Sequence, residues 1–358
     1  VGVVVDHTDQ PQDLGADDRG DNAHEGSDER PGDEHQNDLP RRQSDPVVAP
    51  VDDTCGTRRA DTICSVIELS VTLDAVIVSV TDETPKVLLV DIAGQRPSLP
   101  SGDLETVSDG TLTDALRRQV AAQAGIEVSY VEQLYTFGDQ SRSSDGHRDL
   151  AIAYVALSKE ETPATGASWN DVYDLFPWED HRAGVPTIID EIIAPALDAW
   201  SDGSPSQQAR TRITFGIDAP WDPIRVLDRY ELLFEAGLVT ESGSGSKLGE
   251  PLDSDHRRIT ATALGRLRGK LTYRPVIFEV MPDLFSLTHL QTTAEAIVGI
   301  ELHKQNFRRI VERGELVEPT GQFTTATGGR PAELFRFRSD VIAERPRPGF
   351  PLPRPKQM

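Results

Sequence analysis

The chain has 358 residues, enough for two or three domains at about 100–200 residues each. It carries 36 Lys and Arg against 59 Asp and Glu, a net charge of −23, with mean hydropathy −0.39. No run approaches the ~20 apolar residues that span a bilayer, and the N-terminus lacks the basic and apolar regions of a secretory signal. Cys55 and Cys64 are too few for a disulfide framework and lack the partners of a zinc site. They read as reduced thiols of a cytoplasmic protein, with a lone bond between them as the alternative.

The charge is unevenly spread. Residues 1–60 hold 15 acids and 6 bases, residues 61–255 hold 34 and 13, and residues 256–358 hold 10 and 17. A C-terminal third of net +7 on a strongly acidic chain points to a separate partner for that third.

Residues 1–63 are rich in Asp, Gly, Arg, Gln and Pro and nearly without aromatics. Such a segment buries too little apolar surface to offset its ordering entropy, so it is expected to be disordered. Ordered structure is expected from Cys64. Leu69–Val80 and Lys86–Ile92 read as strands either side of an Asp-Glu-Thr-Pro turn. Leu99–Gly102 reads as a loop and Leu112–Ala124 as a helix closed by Gly125. Val131–Phe137 and Leu150–Leu157 read as further strands.

Beyond these, a helix is expected over about Pro186–Trp200, then a Ser/Gly/Pro linker at 201–206 and a helical pair around Trp221–Val239. Ser242–Ser246 reads as a flexible break. Ile259, Ala263, Leu267 and Leu271 at four-residue spacing predict an amphipathic helix over 255–271.

The basic third follows. Leu287, Leu290, Ala294 and Ile297 form a helical stripe with Ser286 as N-cap, and Gly299–Glu301 makes a turn. A second helix over about His303–Arg313 stops at Gly314. Phe307, Ile310 and Val311 share one face of it, while Lys304, Gln305, Arg308 and Arg309 share the other. Glu315–Glu318 and Ala332–Arg338 then read as a hairpin whose loop carries Gly328, Gly329 and Arg330. Helix, tight turn, basic helix and hairpin is the order of a winged helix-turn-helix, whose second helix enters the major groove. A basic helical face alone is more often merely solvated. Gln and Asn among Arg and Lys favour base reading, because Arg pairs bidentately with guanine and Gln or Asn with adenine. The expected DNA-binding residues are His303, Lys304, Gln305, Asn306, Arg308, Arg309 and Arg330. The partner expected for them is a double-stranded operator.

Residues 99–126 resemble a Nudix box, which runs Gly, five residues, Glu, seven residues, then Arg-Glu-aliphatic-x-Glu-Glu-x-Gly-aliphatic. The Arg, aliphatic and Gly positions match at Arg118, Val120, Gly125 and Ile126. The three glutamates are replaced by Gln119, Ala122 and Gln123, and the upstream glutamate position is Gly110. Mg²⁺ needs anionic oxygen ligands, and without metal little remains to polarise a phosphoryl oxygen. No catalytic residue, no metal site and no cofactor is therefore expected, although Glu105 survives nearby.

The combination resembles the Nudix-related transcriptional regulators. Tyr273–Met281, Phe285–Leu290, Asn306–Arg309 and Gly328–Phe337 carry the likeness, with Leu134–Asp139 and the strand after Arg148. The resemblance implies an α+β fold: a Nudix-like α/β/α sandwich with mixed sheet over 64–270, a C-terminal winged helix over 271–340, and a Pro/Arg-rich tail over 341–358. A helical insertion over about 201–254 departs from the shorter members. The resemblance also implies a homodimer on a palindromic operator, responding to an ADP-ribose-like or other phosphorylated effector. Phosphates favour Arg forks, so Arg96, Arg118, Arg142, His147 and Arg148 are the candidate effector residues; the alternative for each is a solvated cation or a helix salt bridge. Two other functions compete. One is a Nudix pyrophosphatase with an accessory domain; the other is a ligand-independent DNA-binding protein using the Nudix fold only to dimerise.

Overall fold

A computed structural model describes residues 68–104, 109–139, 147–159, 161–217, 219–324, 331–341 and 349, with only the backbone at 68, 147 and 148. The expected disorder of 1–63, both cysteines, Glu105, Arg142, Arg330 and nearly all of the proline-rich tail lie outside the described residues. Residues 64–358 form one compact unit.

Strand β1 (Glu68–Thr81) is the spine of a six-stranded mixed sheet. It runs parallel to β5 (His147–Leu157) and antiparallel to β2 (Thr84–Val90) and the short β3 (Ser101–Asp103). Beyond these lie β4 (Tyr130–Phe137) against β5, and β6 (Ala167–Asp171) against β2. Alternation along β1 sorts its side chains to two faces. Leu73, Ala75 and Ile77 pack with Leu116 and Val120 of helix α1 (Leu112–Ala124). Val76 and Val78 enter a larger core shared with the helical half of the chain. Both faces are covered, which is why this strand reads as a nearly unbroken apolar run.

α1 begins at Thr111, whose side chain accepts from the Asp114 N–H, and ends on Gly125 at φ 66°. This agrees with the boundaries expected from sequence. The β1–β2 connection is tighter than expected. Asp82 and Glu83 both take positive φ, so Thr84 and Pro85 already belong to the ladder. β3 lies where a loop was expected, drawn into pairing with Thr72–Asp74 of β1.

The helical half holds α2 (Val172–Leu175), a π-helical turn (Ile189–Ile193) running into α3 (Ala194–Trp200), α4 (Pro205–Phe215) and α5 (Val226–Glu235). Two expectations need correction here. The 201–206 linker ends early, because Pro205 occupies the first turn of α4, where a proline needs no N–H partner. The expected helical pair at 221–239 is one helix, α5. The Ser/Gly segment 242–246 is also no flexible break. The Ser242 hydroxyl donates to the Val239 carbonyl, Thr240 to Ser246 and Ser246 to Leu238.

Helix α6 (His256–Leu271) agrees with the expected span but is more than amphipathic. Ile259, Ala263, Leu264, Leu267 and Leu271 are buried, and so are Arg257 and Arg268. Its surface is largely consumed inside one chain. After a 3₁₀ turn (Val276–Glu279) come α7 (Leu287–Val298), α8 (Lys304–Gly314), β7 (Val317–Thr324) and β8 (Ala332–Phe337). β7 and β8 pair antiparallel, and Phe285 bridges to Phe335. Helix, turn, helix and hairpin make a winged helix. The α+β reading, with a layered mixed sheet and a C-terminal winged helix, holds.

Candidate nucleic-acid interface and effector body

α7 is capped by the Ser286 hydroxyl, which accepts from the His289 N–H. It ends on Gly299 at φ 76°. Leu290, Ala294 and Ile297 are buried as their stripe requires. α8 packs Phe307 and Val311 inward, at 4% and 0% exposure. Its end differs slightly from expectation. Gly314 remains helical, and Glu315 takes the left-handed cap at φ 49°.

The outward face of α8 carries His303, Lys304, Gln305, Arg308 and Arg309, all exposed. Lys304, Gln305 and Arg308 are engaged by no other described side chain. Arg309 is different, because its Nη2 donates to Asn306 Oδ1 at 2.8 Å. These two residues therefore present themselves as a pair. The hairpin is braced by Phe278 stacked on Phe337, ring centroids 4.1 Å apart. Two wing cations are already matched: Arg336 to Glu318 and Arg338 to Asp340.

Four segments converge beneath this module. Glu179, in the loop after α2, is fully buried between Arg229 of α5 and Arg268 of α6. Arg229 reaches it with a two-pronged contact, Nε to Oε1 at 2.5 Å and Nη2 to Oε2 at 3.0 Å. Arg229 also donates to the Thr214 and Asp222 carbonyls and lies 3.7 Å from the Trp221 ring. Arg268 donates to Glu179 Oε2, to the Pro223 carbonyl and to the Ile297 carbonyl of α7. Burial alone would raise the Glu179 pKa, but the two guanidiniums more than offset it and hold the carboxyl low. Buried ions are tolerated only when fully paired in this way, and deleting one partner of such a set typically costs about 3–5 kcal/mol.

Helix α2 and the same loop together hold the end of α7. The Tyr173 hydroxyl donates to the Ala296 carbonyl at 2.6 Å, and the His181 N–H donates to the Gly299 carbonyl at 2.7 Å. Burial pushes the Tyr173 phenol up to about 12 and the His181 imidazole down to about 4. Gly299 is forced by this approach. A Cβ there would lie 2.4 Å from the Glu179 carbonyl oxygen and 2.9 Å from the Tyr173 hydroxyl.

In the Nudix-like box, the replacements have acquired bonds of their own. Gln123 Nε2 donates to the Ser101 carbonyl at 2.5 Å, and its Oε1 accepts from the Ser101 N–H at 3.2 Å. Gln119 Nε2 donates to the Asp103 carbonyl at 2.8 Å. Gly102 gives Gln119 its room, since a Cβ there would sit 2.9 Å from Gln119 Cδ. The two amides clamp α1 to β3 by donating N–H groups, which carboxylates lack. These residues do not fit a divalent cation, and no group of acids or histidines suited to a metal occurs among the described residues.

Of the candidate effector residues, the structure describes the side chains of Arg96 and Arg118. Arg96 is exposed between β2 and β3, and Arg118 is held by Asp109 through paired contacts at 2.9 and 2.8 Å. His147 and Arg148 open β5, in register with Glu68 and Leu69. A cleft of about 510 Å³ lies elsewhere. Asp139, Glu231, Glu235, Glu241 and Asp255 line it with Arg258, so it is poorly suited to a phosphate.

The model of the NrtR DNA-binding winged helix domain family matches residues 277–337. Over these residues the chain is similar to the NrtR winged helix family. A curated relative, the ADPR responsive transcriptional repressor NtrR of Acinetobacter baylyi, is 42% identical over 83 residues. That match covers 23% of this chain and about a third, 33%, of the relative. The crystal structure of Shewanella oneidensis NrtR complexed with a 27mer DNA matches with TM-score 0.50 at 22% identity. It covers 76% of this chain and 95% of that one, and so shows a shared fold. The chain therefore joins a mixed-sheet body to a winged helix that is similar to the NrtR family. No helix among the described residues is long and apolar enough to cross a membrane.

Proposed function

We propose that this protein is a cytoplasmic, ligand-responsive transcriptional regulator that binds an operator as a homodimer through residues 271–340. Its Nudix-like body senses an ADP-ribose-like or other phosphorylated metabolite without hydrolysing it. The outward face of α8 carries the reading, with Lys304, Gln305 and Arg308 projecting from a helix whose other face is locked in the core. The Acinetobacter relative, an ADPR responsive repressor, supports the effector class. Arg96, Arg118, Arg142, His147 and Arg148 stay the candidates for holding it, with Arg118 first having to leave Asp109.

Selection of a bound sequence from random duplexes, followed by mutation, tests the interface. Arg308→Ala and Gln305→Ala should each weaken binding to the selected site by about 1–3 kcal/mol if they contact bases. Lys304→Ala should instead weaken all sequences evenly and lower the salt slope by about one. Three variants that bind like the parent would overturn the assignment. Thermal shift with ADP-ribose, NAD and sugar phosphates tests the effector, since a ligand of the native state raises apparent stability. With Mg²⁺ or Mn²⁺ present, no AMP should be released from ADP-ribose, because the amide clamp of Gln119 and Gln123 leaves no metal cage.

A further inference from the structure

We infer that Tyr173 and Arg268 are positioning residues for DNA recognition, holding the last turn of α7 and so setting the angle at which α8 is presented. This rests on the proposed function. An HTH module needs its first helix and turn fixed only to each other in order to fold. Here that corner, tied internally by Gln291 and Glu295 to Leu302, is also fixed to the body at three closely spaced points. Tyr173 holds the Ala296 carbonyl, Arg268 holds the Ile297 carbonyl at 2.9 Å, and His181 holds the Gly299 carbonyl. These acceptors lie at the C-terminus of α7, where intrahelical donors have run out. All three donors come from outside the winged helix, and Glu179 ties their segments together by binding Arg268 from the loop that carries His181 and follows the helix of Tyr173.

The geometry leaves little slack. Gly299 sits so close to the Glu179 backbone and the Tyr173 hydroxyl that even a methyl group has no space. Four residues separate Gly299 from Lys304, the first residue of α8. A shift at this corner therefore moves the recognition helix as a rigid piece. Base contacts demand bidentate geometry, whereas phosphate contacts tolerate displacement. Loosening the corner should thus lower discrimination while sparing nonspecific affinity. In a symmetric dimer it should also relax the required distance between half-sites, since that distance reflects how the two recognition helices are held.

The test uses the full chain and three variants. Tyr173→Phe removes the hydroxyl bond to Ala296 with little change in volume. Arg268→Lys keeps the charge beside Glu179 but loses the fork that also reaches Ile297. Ser286→Ala weakens the opposite end of α7 and reports on stability alone. Affinity is measured for the operator selected by the parent and for random duplex, together with the spacing chosen from a library of half-site separations. Tyr173→Phe and Arg268→Lys should lose about tenfold in the operator-to-random ratio and accept a wider range of spacings. Ser286→Ala should melt earlier with ratio and spacing unchanged. If Arg268→Lys does not fold, Tyr173→Phe decides. Folded variants that keep the parent's ratio and spacing overturn the positioning role while leaving the proposed function intact. A parent that selects no sequence overturns both.

Discussion

Gln119 and Gln123 show how a departure from the Nudix-box pattern can be read at the level of single residues. Sequence revealed the missing charge but not its replacement. The bonds to Asp103 and Ser101 depend on β3, a three-residue strand with no periodicity to betray it. Restoring the family's acids should therefore not restore a metal site. Gln123→Glu sets a carboxylate against the Ser101 carbonyl, and an unsatisfied buried acceptor costs about 1–3 kcal/mol. Protonation would restore a donor, so the introduced Glu should titrate above its unfolded value. Relative to Gln123, the variant should be least impaired below about pH 4.3 and lose stability as pH rises through its folded pKa. Urea melts at two pH values, with and without Mg²⁺, would show this; metal-dependent stabilisation would contradict it. His181 gives the opposite slope. Its folded pKa of about 4 lies below the ordinary 6.5, so the unfolded state takes up the proton first. Stability should fall as pH drops from 6.5 towards 4, by about 1–2 kcal/mol at pH 5. His181→Gln should flatten that limb, and an unchanged pH profile would refute the assignment.

Elements with strong end signals were legible in the sequence. α1, α6, α7 and α8 stand where the Ser286 cap, the Gly125 and Gly299 stops and the apolar stripes place them. Elements defined by their neighbours were not. β3 exists because β1 offers it an edge, and α4 hid behind Ser/Gly/Pro composition because Pro205 reads as a breaker unless it is placed in a first turn. The Ser/Gly run after Thr240 looked flexible because its hydroxyl bonds leave no trace in composition. The same logic separates two changes in α7. Ser286→Ala removes a cap and should cost about 1 kcal/mol in thermal or denaturant unfolding. Gly299→Ala meets backbone at 2.4 Å and imposes a strained φ, so it should be far more damaging; comparable losses would show that the turn has more freedom than the structure allows.

Across the whole molecule, the charge map and the contact map tell different stories. Charge divides the chain near residue 256, acidic before and basic after. Packing does not, because α6 lies in the core and Arg268 serves both sides. The acidic body should stand away from phosphates, and binding should weaken with salt according to the cations of the C-terminal third alone. A fragment of residues 271–340 lacks Arg268, Tyr173 and His181. It should be monomeric by sedimentation and bind the operator far more weakly than the full chain; a fragment matching the full chain would show that the winged helix is self-sufficient. The candidate effector residues carry the weakest signal in the sequence, since loop cations follow no spacing rule and Arg118 has a near partner in Asp109.

The buried carboxylate Glu179 has a consequence for building chimeras. A body and a winged helix from two relatives would ordinarily be spliced at the connecting helix. Here a cut within α6 upstream of Arg268 takes that side chain from the donor of the winged helix, while Glu179 and Arg229 come from the other parent. Unless both parents carry the same set, the hybrid encloses a charge without its counterion. A graft should succeed only when Tyr173, Glu179, Arg229, Arg268 and Gly299 travel together, so the exchangeable unit is larger than the domain that touches DNA.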